Sequence, residues 1–192
     1  MSIALQNSMT LDEFLAWEEK QELRWEFDGF APMAMTGGTA AHSAIQLNLY
    51  LAVGGRLRGQ RCRMYTADLK IQVADSIRYP DGFVVCSPVS GPTLIVIDPV
   101  VVFEILSPST ASVDFGVKNE EYRDTPSIQR YVMLAQDEQR ATVFERIDDD
   151  WVGHIMSGDV VLRMPEIGIE IPLAELYVGV QFPSGKPNPD AI

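Results

Sequence analysis

The chain has 192 residues, which is long enough for one domain with a substantial core. Hydrophobic residues make up 46% and charged residues 22% of the sequence, an ordinary globular balance that excludes a disordered or low-complexity chain. No run of about 18 apolar residues is present, so no membrane-spanning helix is expected. The formal net charge of −12 argues against a surface that binds nucleic acid over its whole extent, because such binding depends on neutralising phosphates.

The two cysteines, Cys62 and Cys86, lie in strand-like segments without the spacing of a metal-binding motif. This pattern predicts two reduced thiols. The N-terminal segment lacks the basic and apolar regions of a signal peptide. Together these features predict a cytoplasmic protein with no membrane association.

The first third of the chain predicts a helix, a hairpin and a second helix. Thr10 and Glu13 form a capping box at the start of a helix that continues to about Gln21. Asp28-Gly29 separates two strand-like runs and predicts a hairpin. Apolar spacing predicts a helix over residues 40–53, which Gly54-Gly55 would end.

The rest of the chain alternates strand-like and helical segments. The predicted strands span 61–66, 68–73, 79–86, 100–106, 130–135, 141–147 and 151–156. The predicted helices run from about Asp114 to Arg123 and over 173–176. This order predicts one α/β (α+β) domain, residues 1–180, with a central mixed β-sheet flanked by helices. Residues 181–192 are expected to form a flexible tail.

Two carboxylates stand beside or inside these strand runs. Asp81 follows Tyr79-Pro80 at the start of one run, and Glu104 is the single polar residue in the apolar run Val100–Leu106. A lone ionised acid is very costly to bury, so an acid kept there is usually paired or bound to a metal. If the two strands are neighbours, both carboxylates and the carbonyl of Ile105 could converge on one Mg²⁺ or Mn²⁺ ion.

This arrangement resembles the PD-(D/E)XK nuclease superfamily, with Pro80-Asp81 and Glu104 at the positions of its two acids. The segments Tyr79–Cys86, Val102–Thr110 and Asp114–Lys118 resemble more closely the Uma family, a restriction-endonuclease-like domain of unknown function. The resemblance spans roughly residues 9–180. It implies a restriction-endonuclease-like core and a metal-dependent endonuclease.

The superfamily pattern places a lysine two residues after the second acid, where this chain has Leu106. In the Uma-like branch a lysine from the following helix is thought to take this role, and Lys118 matches it. Asp114, Lys118 and Tyr122 would form one stripe of that helix, although Asp114 and Lys118 could equally form a surface ion pair. Lys70 is a rival for the same role.

The resemblance also implies four accessory site residues. Glu26 matches an N-terminal acid of the superfamily, but it could instead face water at a strand end. His42 would lie beside the cleft, or it could be an ordinary packing residue of its helix. Asp68 shares a predicted strand face with Lys70, and an exposed hairpin face is the alternative. Tyr122 completes the motif of the third helix.

The resulting hypothesis is an endonuclease that hydrolyses nucleic acid, with DNA as the expected substrate and Asp81, Glu104 and Lys118 as catalytic residues. Mg²⁺ or Mn²⁺ is the expected cofactor. A homodimer is the expected assembly, with the C-terminal hairpin and an exposed Trp151 as its interface. The alternative is a catalytically inactive binding or assembly module of the same fold.

Overall fold

The computed structural model of the protein describes residues 9–35, 37–107 and 114–182. The predicted flexible tail and part of the segment after Leu106 lie outside these residues. The helices are α1 (Leu11–Glu18), α2 (Ala40–Leu49), α3 (Gly55–Leu57) and α4 (Asn119–Asp124), with π-helical turns at Tyr50–Gly54 and Asp114–Lys118 and 3-10 turns at Pro165–Ile167 and Leu173–Tyr177.

Thirteen strands are present among the described residues. They are β1 (Trp25–Phe27), β2 (Pro32–Ala34), β3 (Arg63–Thr66), β4 (Lys70–Val73), β5 (Ser76–Arg78), β6 (Gly82–Val85), β7 (Ile95–Val96), β8 (Val101–Leu106), β9 (Arg130–Ala135), β10 (Arg140–Ile147), β11 (Asp150–Ser157), β12 (Val161–Met164) and β13 (Ile169–Pro172).

The strands form a six-stranded sheet, a five-stranded sheet and a hairpin. The six-stranded sheet has the order β11-β10-β9-β8-β6-β3, with β8 and β9 parallel and its other pairs antiparallel. The five-stranded sheet has the order β2-β1-β5-β4-β7. The architecture is mixed α+β with large mixed sheets and few helices, which confirms the predicted fold class.

The six-stranded sheet is covered on both faces, as the apolar run of β8 predicts. Ile105 and Phe103 pack on one face with Ile45 of α2 and with the β12–β13 hairpin. Val102 packs on the other face with Ile71 of the five-stranded sheet and Tyr122 of α4. Glu104 lies two residues after Val102 and therefore points into this second layer.

Several predicted boundaries are confirmed and others are wrong. The capping box of α1 and the hairpin across Asp28 are present. The second helix does not end at Gly54-Gly55, because the chain continues through a π-helical turn into α3. The predicted strand over 79–86 begins only at Gly82, and β5 precedes it as a separate strand.

The predicted reduced thiols are also wrong, because Cys62 and Cys86 form a disulfide. Arg63 lies opposite Val85 in the β3–β6 pair, so the next two opposed positions along these strands are Cys62 and Cys86. Sequence spacing alone could not show this, since the pairing depends on which strands are neighbours. Reduced cysteines were one of the grounds for expecting a cytoplasmic location, and the disulfide removes that ground. The location itself stays a prediction. No helix in the described ranges is both long and apolar enough to cross a membrane.

Reducing the Cys62–Cys86 disulfide should destabilise the protein by about 3 kcal/mol, because it releases a closed loop in the unfolded chain. The measurement is urea unfolding with and without reductant, together with thiol titration of the denatured protein. A Cys62→Ser/Cys86→Ser variant is the control, and reductant should leave its unfolding midpoint unchanged. Two titratable thiols in unreduced wild-type protein would disprove the disulfide.

Candidate functional site

The two acids singled out in the sequence lie on neighbouring strands. β6 and β8 are antiparallel, with Gly82 opposite Phe103. Continuing this register by one residue places Asp81 opposite Glu104. The expectation that their strands are neighbours is therefore confirmed.

Asp81 is held at the start of β6 from two sides. Its Oδ2 accepts a hydrogen bond from the backbone N–H of Ile105 at 2.7 Å. Its Oδ1 accepts a hydrogen bond from the side-chain amide of Gln46 at 3.1 Å and lies 3.2 Å from Nε2 of His42. The hydroxyl of Tyr50 donates to the Asp81 carbonyl at 2.7 Å. These contacts fix both the backbone and the carboxylate.

One face of the second helix supplies three of these contacts. His42, Gln46 and Tyr50 follow at intervals of four residues along α2 and the first residue of the π-helical turn, and therefore lie on one stripe. The Thr39 hydroxyl accepts a hydrogen bond from the His42 backbone and caps the helix, which fixes where this stripe begins. His42 thus lies beside Asp81.

Glu104 is only 5% exposed and is paired with two residues of the following helix. Lys118 Nζ lies 3.0 Å from Glu104 Oε1, and the Tyr122 hydroxyl donates to the same oxygen at 3.0 Å. The predicted stripe Asp114, Lys118 and Tyr122 faces inward, and all three residues are buried. The surface alternative for Asp114 and Lys118 is therefore wrong.

The ammonium of Lys118 lies among three carboxylates. Besides Glu104, it is 3.1 Å from Glu26 Oε1 and 3.4 Å from Asp114 Oδ1. Glu26 is buried, and its Oε1 also accepts the backbone N–H of Tyr79 at 3.0 Å. The alternative in which Glu26 faces water is therefore wrong. Three elements, β1, β8 and the π-helical turn Asp114–Lys118, therefore bring these charged groups together in the interior.

The electrostatics of the site reflect an excess of acids. Burial raises the pKa of Glu104; Lys118 opposes this effect, while Asp81, Asp114 and Glu26 reinforce it. Burial alone would lower the pKa of Lys118, but Glu104, Glu26 and Asp114 hold it above its ordinary value. The hydrogen bond to Asp81 raises the pKa of His42.

Two other predicted residues lie elsewhere. Lys70 forms an ion pair with Glu18 of α1, and Glu18 also accepts the Tyr79 hydroxyl at 2.8 Å. Asp68 was expected on a strand but lies in the turn before β4, where it pairs with Arg24 at 2.6 Å and is largely exposed. Neither has a described contact with Asp81 or Glu104.

Residues of the site that the sequence did not single out are Gln46, Tyr50, Arg78 and Glu121. Gln46 and Tyr50 continue the helical spacing of His42, and that spacing was the available signal. Arg78 and Glu121 pair across a sequence separation of 43 residues, so no local pattern could join them.

Asp81 and Glu104 are the candidate ligands for a hard divalent cation. Asp81 and Glu104 offer carboxylate oxygens. The backbone N–H of Ile105 donates a hydrogen bond to the Asp81 carboxylate, so this edge of β8 faces the two acids. Because N–H and C=O of one strand residue point to the same edge, the Ile105 carbonyl faces this place as well. Within the described ranges, no group of three or more His, Cys, Asp or Glu side chains is placed so that it could hold a metal ion by itself. Mg²⁺ commonly uses one or two carboxylates and retains several waters.

The fold is a mixed α+β domain that holds a buried cluster of acids around one lysine. A solved structure supports the fold: a protein from Anabaena variabilis, titled "a putative nuclease belonging to DUF820", superposes with a TM-score of 0.73. The two chains are 22% identical, and the match covers 88% of this chain and 97% of the other.

The family model Uma2, described as "Putative restriction endonuclease", matches residues 11–174, and the protein belongs to this family. Its relatives include two uncharacterized proteins of Synechocystis sp. One, slr1290, is 31% identical over 89% of this chain and 92% of its own length. The other, sll1609, is 25% identical over 78% of this chain and 87% of its own length.

The raised pKa of Glu104 makes stability depend on pH when no divalent cation is added. At low pH the folded and unfolded states both hold the proton. As pH rises above the ordinary carboxyl range, the unfolded chain releases it first, so stability falls until the pH passes the raised pKa. We therefore expect Glu104→Gln to gain thermal stability relative to wild type between about pH 5 and pH 8.

The measurement is the melting temperature of both proteins in a chelator across this pH range. Glu175→Gln is the control, because Arg56 lowers the pKa of Glu175 and its titration lies below this range. Parallel curves for wild type and Glu104→Gln would contradict the raised pKa.

Proposed function

We propose that this protein is an endonuclease that hydrolyses phosphodiester bonds of nucleic acid, with DNA as its substrate and Mg²⁺ or Mn²⁺ as its cofactor. The observation that carries the proposal is the buried Glu104, which lies opposite Asp81 and is bonded to Lys118. Membership in the Uma2 family supports the same reaction class.

The charge of the cluster supports a divalent cation. Glu26, Asp81, Glu104 and Asp114 face one another with Lys118 as the ammonium that contacts three of them. Burial is the main cause that raises the pKa of Glu104, and the carboxylates of Asp81, Asp114 and Glu26 raise it further, an effect that an added positive charge would counteract. A cation held by Asp81, Glu104 and the Ile105 carbonyl would polarise the phosphate and activate water.

The protein's own groups have separate roles in this proposal. Asp81 is oriented by Ile105, Gln46 and His42, so its carboxylate does not have to reorganise during the reaction. Lys118 would stabilise the negative charge that develops on the phosphate. His42 lies at the edge of the cluster, 18% exposed, where it can contact a substrate phosphate or transfer a proton.

A symmetric homodimer remains part of the proposal. β11 is an edge strand of the six-stranded sheet and exposes Val152 and Ile155. Trp151, expected to be exposed, is instead half-buried: its Nε1 donates to the Arg123 carbonyl at 3.1 Å, and Arg146 lies over its ring. The exposed edge of β11, and not Trp151, is therefore the surface that supports pairing with a second copy.

Removing either acid should abolish Mg²⁺-dependent cleavage. We expect Asp81→Ala and Glu104→Ala to reduce cleavage of DNA to background, and Lys118→Met to reduce kcat by about 10²–10³-fold. Glu170→Gln, which removes an exposed acid paired with Arg163, is the control and should cleave as wild type does. Retained Mg²⁺-dependent cleavage in both alanine variants would refute the proposed site.

Binding of the cation should be measurable without any nucleic acid. A ligand present at 100 times its Kd stabilises the folded state by about 2.7 kcal/mol, so Mg²⁺ or Mn²⁺ should raise the melting temperature of wild type. Asp81→Asn should remove this increase. The absence of any shift in wild type would contradict the metal site.

A cleavage assay alongside the same titration separates the nuclease from its alternative, a catalytically inactive binding or assembly module. The observations that favour an inactive module are the formal net charge of −12 and Leu106 in place of a lysine two residues after Glu104. In that case Mn²⁺ would still raise the melting temperature, but varied DNA and RNA substrates would remain intact.

A further inference from the structure

β5 ends in an arginine whose side chain is fully buried. Arg78 is 0% exposed, and its Nε and Nη2 donate to the two carboxylate oxygens of Glu121, each at 2.7 Å. The Ser76 hydroxyl donates to Glu121 at 2.8 Å and holds the acceptor in place. An unpaired guanidinium would be very costly at this depth, so the bidentate pair is strongly constrained.

The same guanidinium reaches the proposed catalytic cluster. Its Nη1 lies 3.5 Å from Glu26 Oε2, and the other oxygen of Glu26 lies 3.1 Å from Lys118 Nζ. Glu121 belongs to α4, one helical turn beyond Lys118. Arg78 is therefore linked to Lys118 along two routes, through the Glu26 carboxylate and through the helix that carries the lysine.

The lysine needs such a constraint. Its ammonium stands on a flexible four-carbon chain and has three carboxylates within reach, of which Glu104 and Glu26 are almost equally close. A second cation beside Glu26 weakens the pull of that carboxylate on Lys118. A fixed helix sets the distance from Lys118 to Glu104.

We propose that Arg78, paired with Glu121, is a positioning residue that holds Glu26 and α4 so that Lys118 is presented to Glu104. Its effect on catalysis rests on the nuclease function proposed above. Its effect on the lysine does not, because the contacts are present without any substrate or cation.

The direct test is the NMR signal of the Lys118 side chain in metal-free protein. The chain has only four lysines, so a Lys118→Arg variant assigns the signal by its disappearance. Arg78→Lys keeps the charge but loses the bidentate fork, and it should shift and broaden the Lys118 signal. Glu121→Gln keeps the shape of the side chain that accepts the hydrogen bonds of Arg78, and it should disturb folding less than Arg78→Lys does. It should shift the Lys118 signal in the same way but by a smaller amount.

Arg130→Lys is the matched control. Arg130 is likewise buried and paired with two acids, Glu166 and Glu145, at the far end of β9. The Arg130→Lys substitution should lower the stability of the protein as Arg78→Lys does, but it should leave the position and width of the Lys118 NMR signal unchanged. Equal changes in both arginine variants, or an unchanged Lys118 signal in both Arg78→Lys and Glu121→Gln, would overturn the positioning role.

Cleavage provides a second readout. Arg78→Lys should lower kcat by about 10- to 100-fold with little change in KM, because Arg78 itself does not contact the substrate and the lysine that it positions acts in the transition state. A wild-type kcat in Arg78→Lys would overturn the role. If wild type cleaves nothing while its Lys118 signal responds to Arg78→Lys, the nuclease proposal fails and the positioning role stands.

Discussion

The structure depends on one constraint: Glu104 is a carboxylate in the middle of a buried strand and must be compensated there. β8 is covered on both faces, so no water can solvate this group as it would at the surface. Lys118 and Tyr122 supply the compensation from a helix that packs on one of those faces. The helix, the five-stranded sheet through Glu26 and the segment that begins β6 all bring polar groups close to this one strand residue.

The compensation is incomplete, and this connects packing with function. Lys118 is shared with Glu26 and Asp114, and Asp81 adds further negative charge opposite Glu104. A protein selected for stability alone would gain by replacing a buried group of this kind with apolar side chains of similar volume. The excess of acids over cations in this cluster is the reason for proposing a ligand that carries positive charge.

Much of this could be predicted from the sequence, and the limits have clear physical origins. The acids Asp81 and Glu104 stood out because strand-forming neighbours surround them, and the Asp114, Lys118 and Tyr122 stripe followed from helical spacing. Asp68 was misplaced because a strand was extended into a turn. The Cys62–Cys86 disulfide and the Arg78–Glu121 pair join distant segments, and such pairs depend on sheet order, which local patterns do not determine.

The position of the lysine explains why a remote arginine matters. A lysine two residues after Glu104 would share its strand, and the spacing of the strand would fix the distance between them. Leu106 stands there instead and packs in the apolar layer. Lys118 comes from a helix, so its distance from Glu104 depends on how that helix is anchored to the neighbouring sheet. The buried Arg78–Glu121 pair is such an anchor, and it lies three residues before Asp81 on the same segment. One short stretch of chain therefore places an acid of the site and also fixes the helix that carries its lysine.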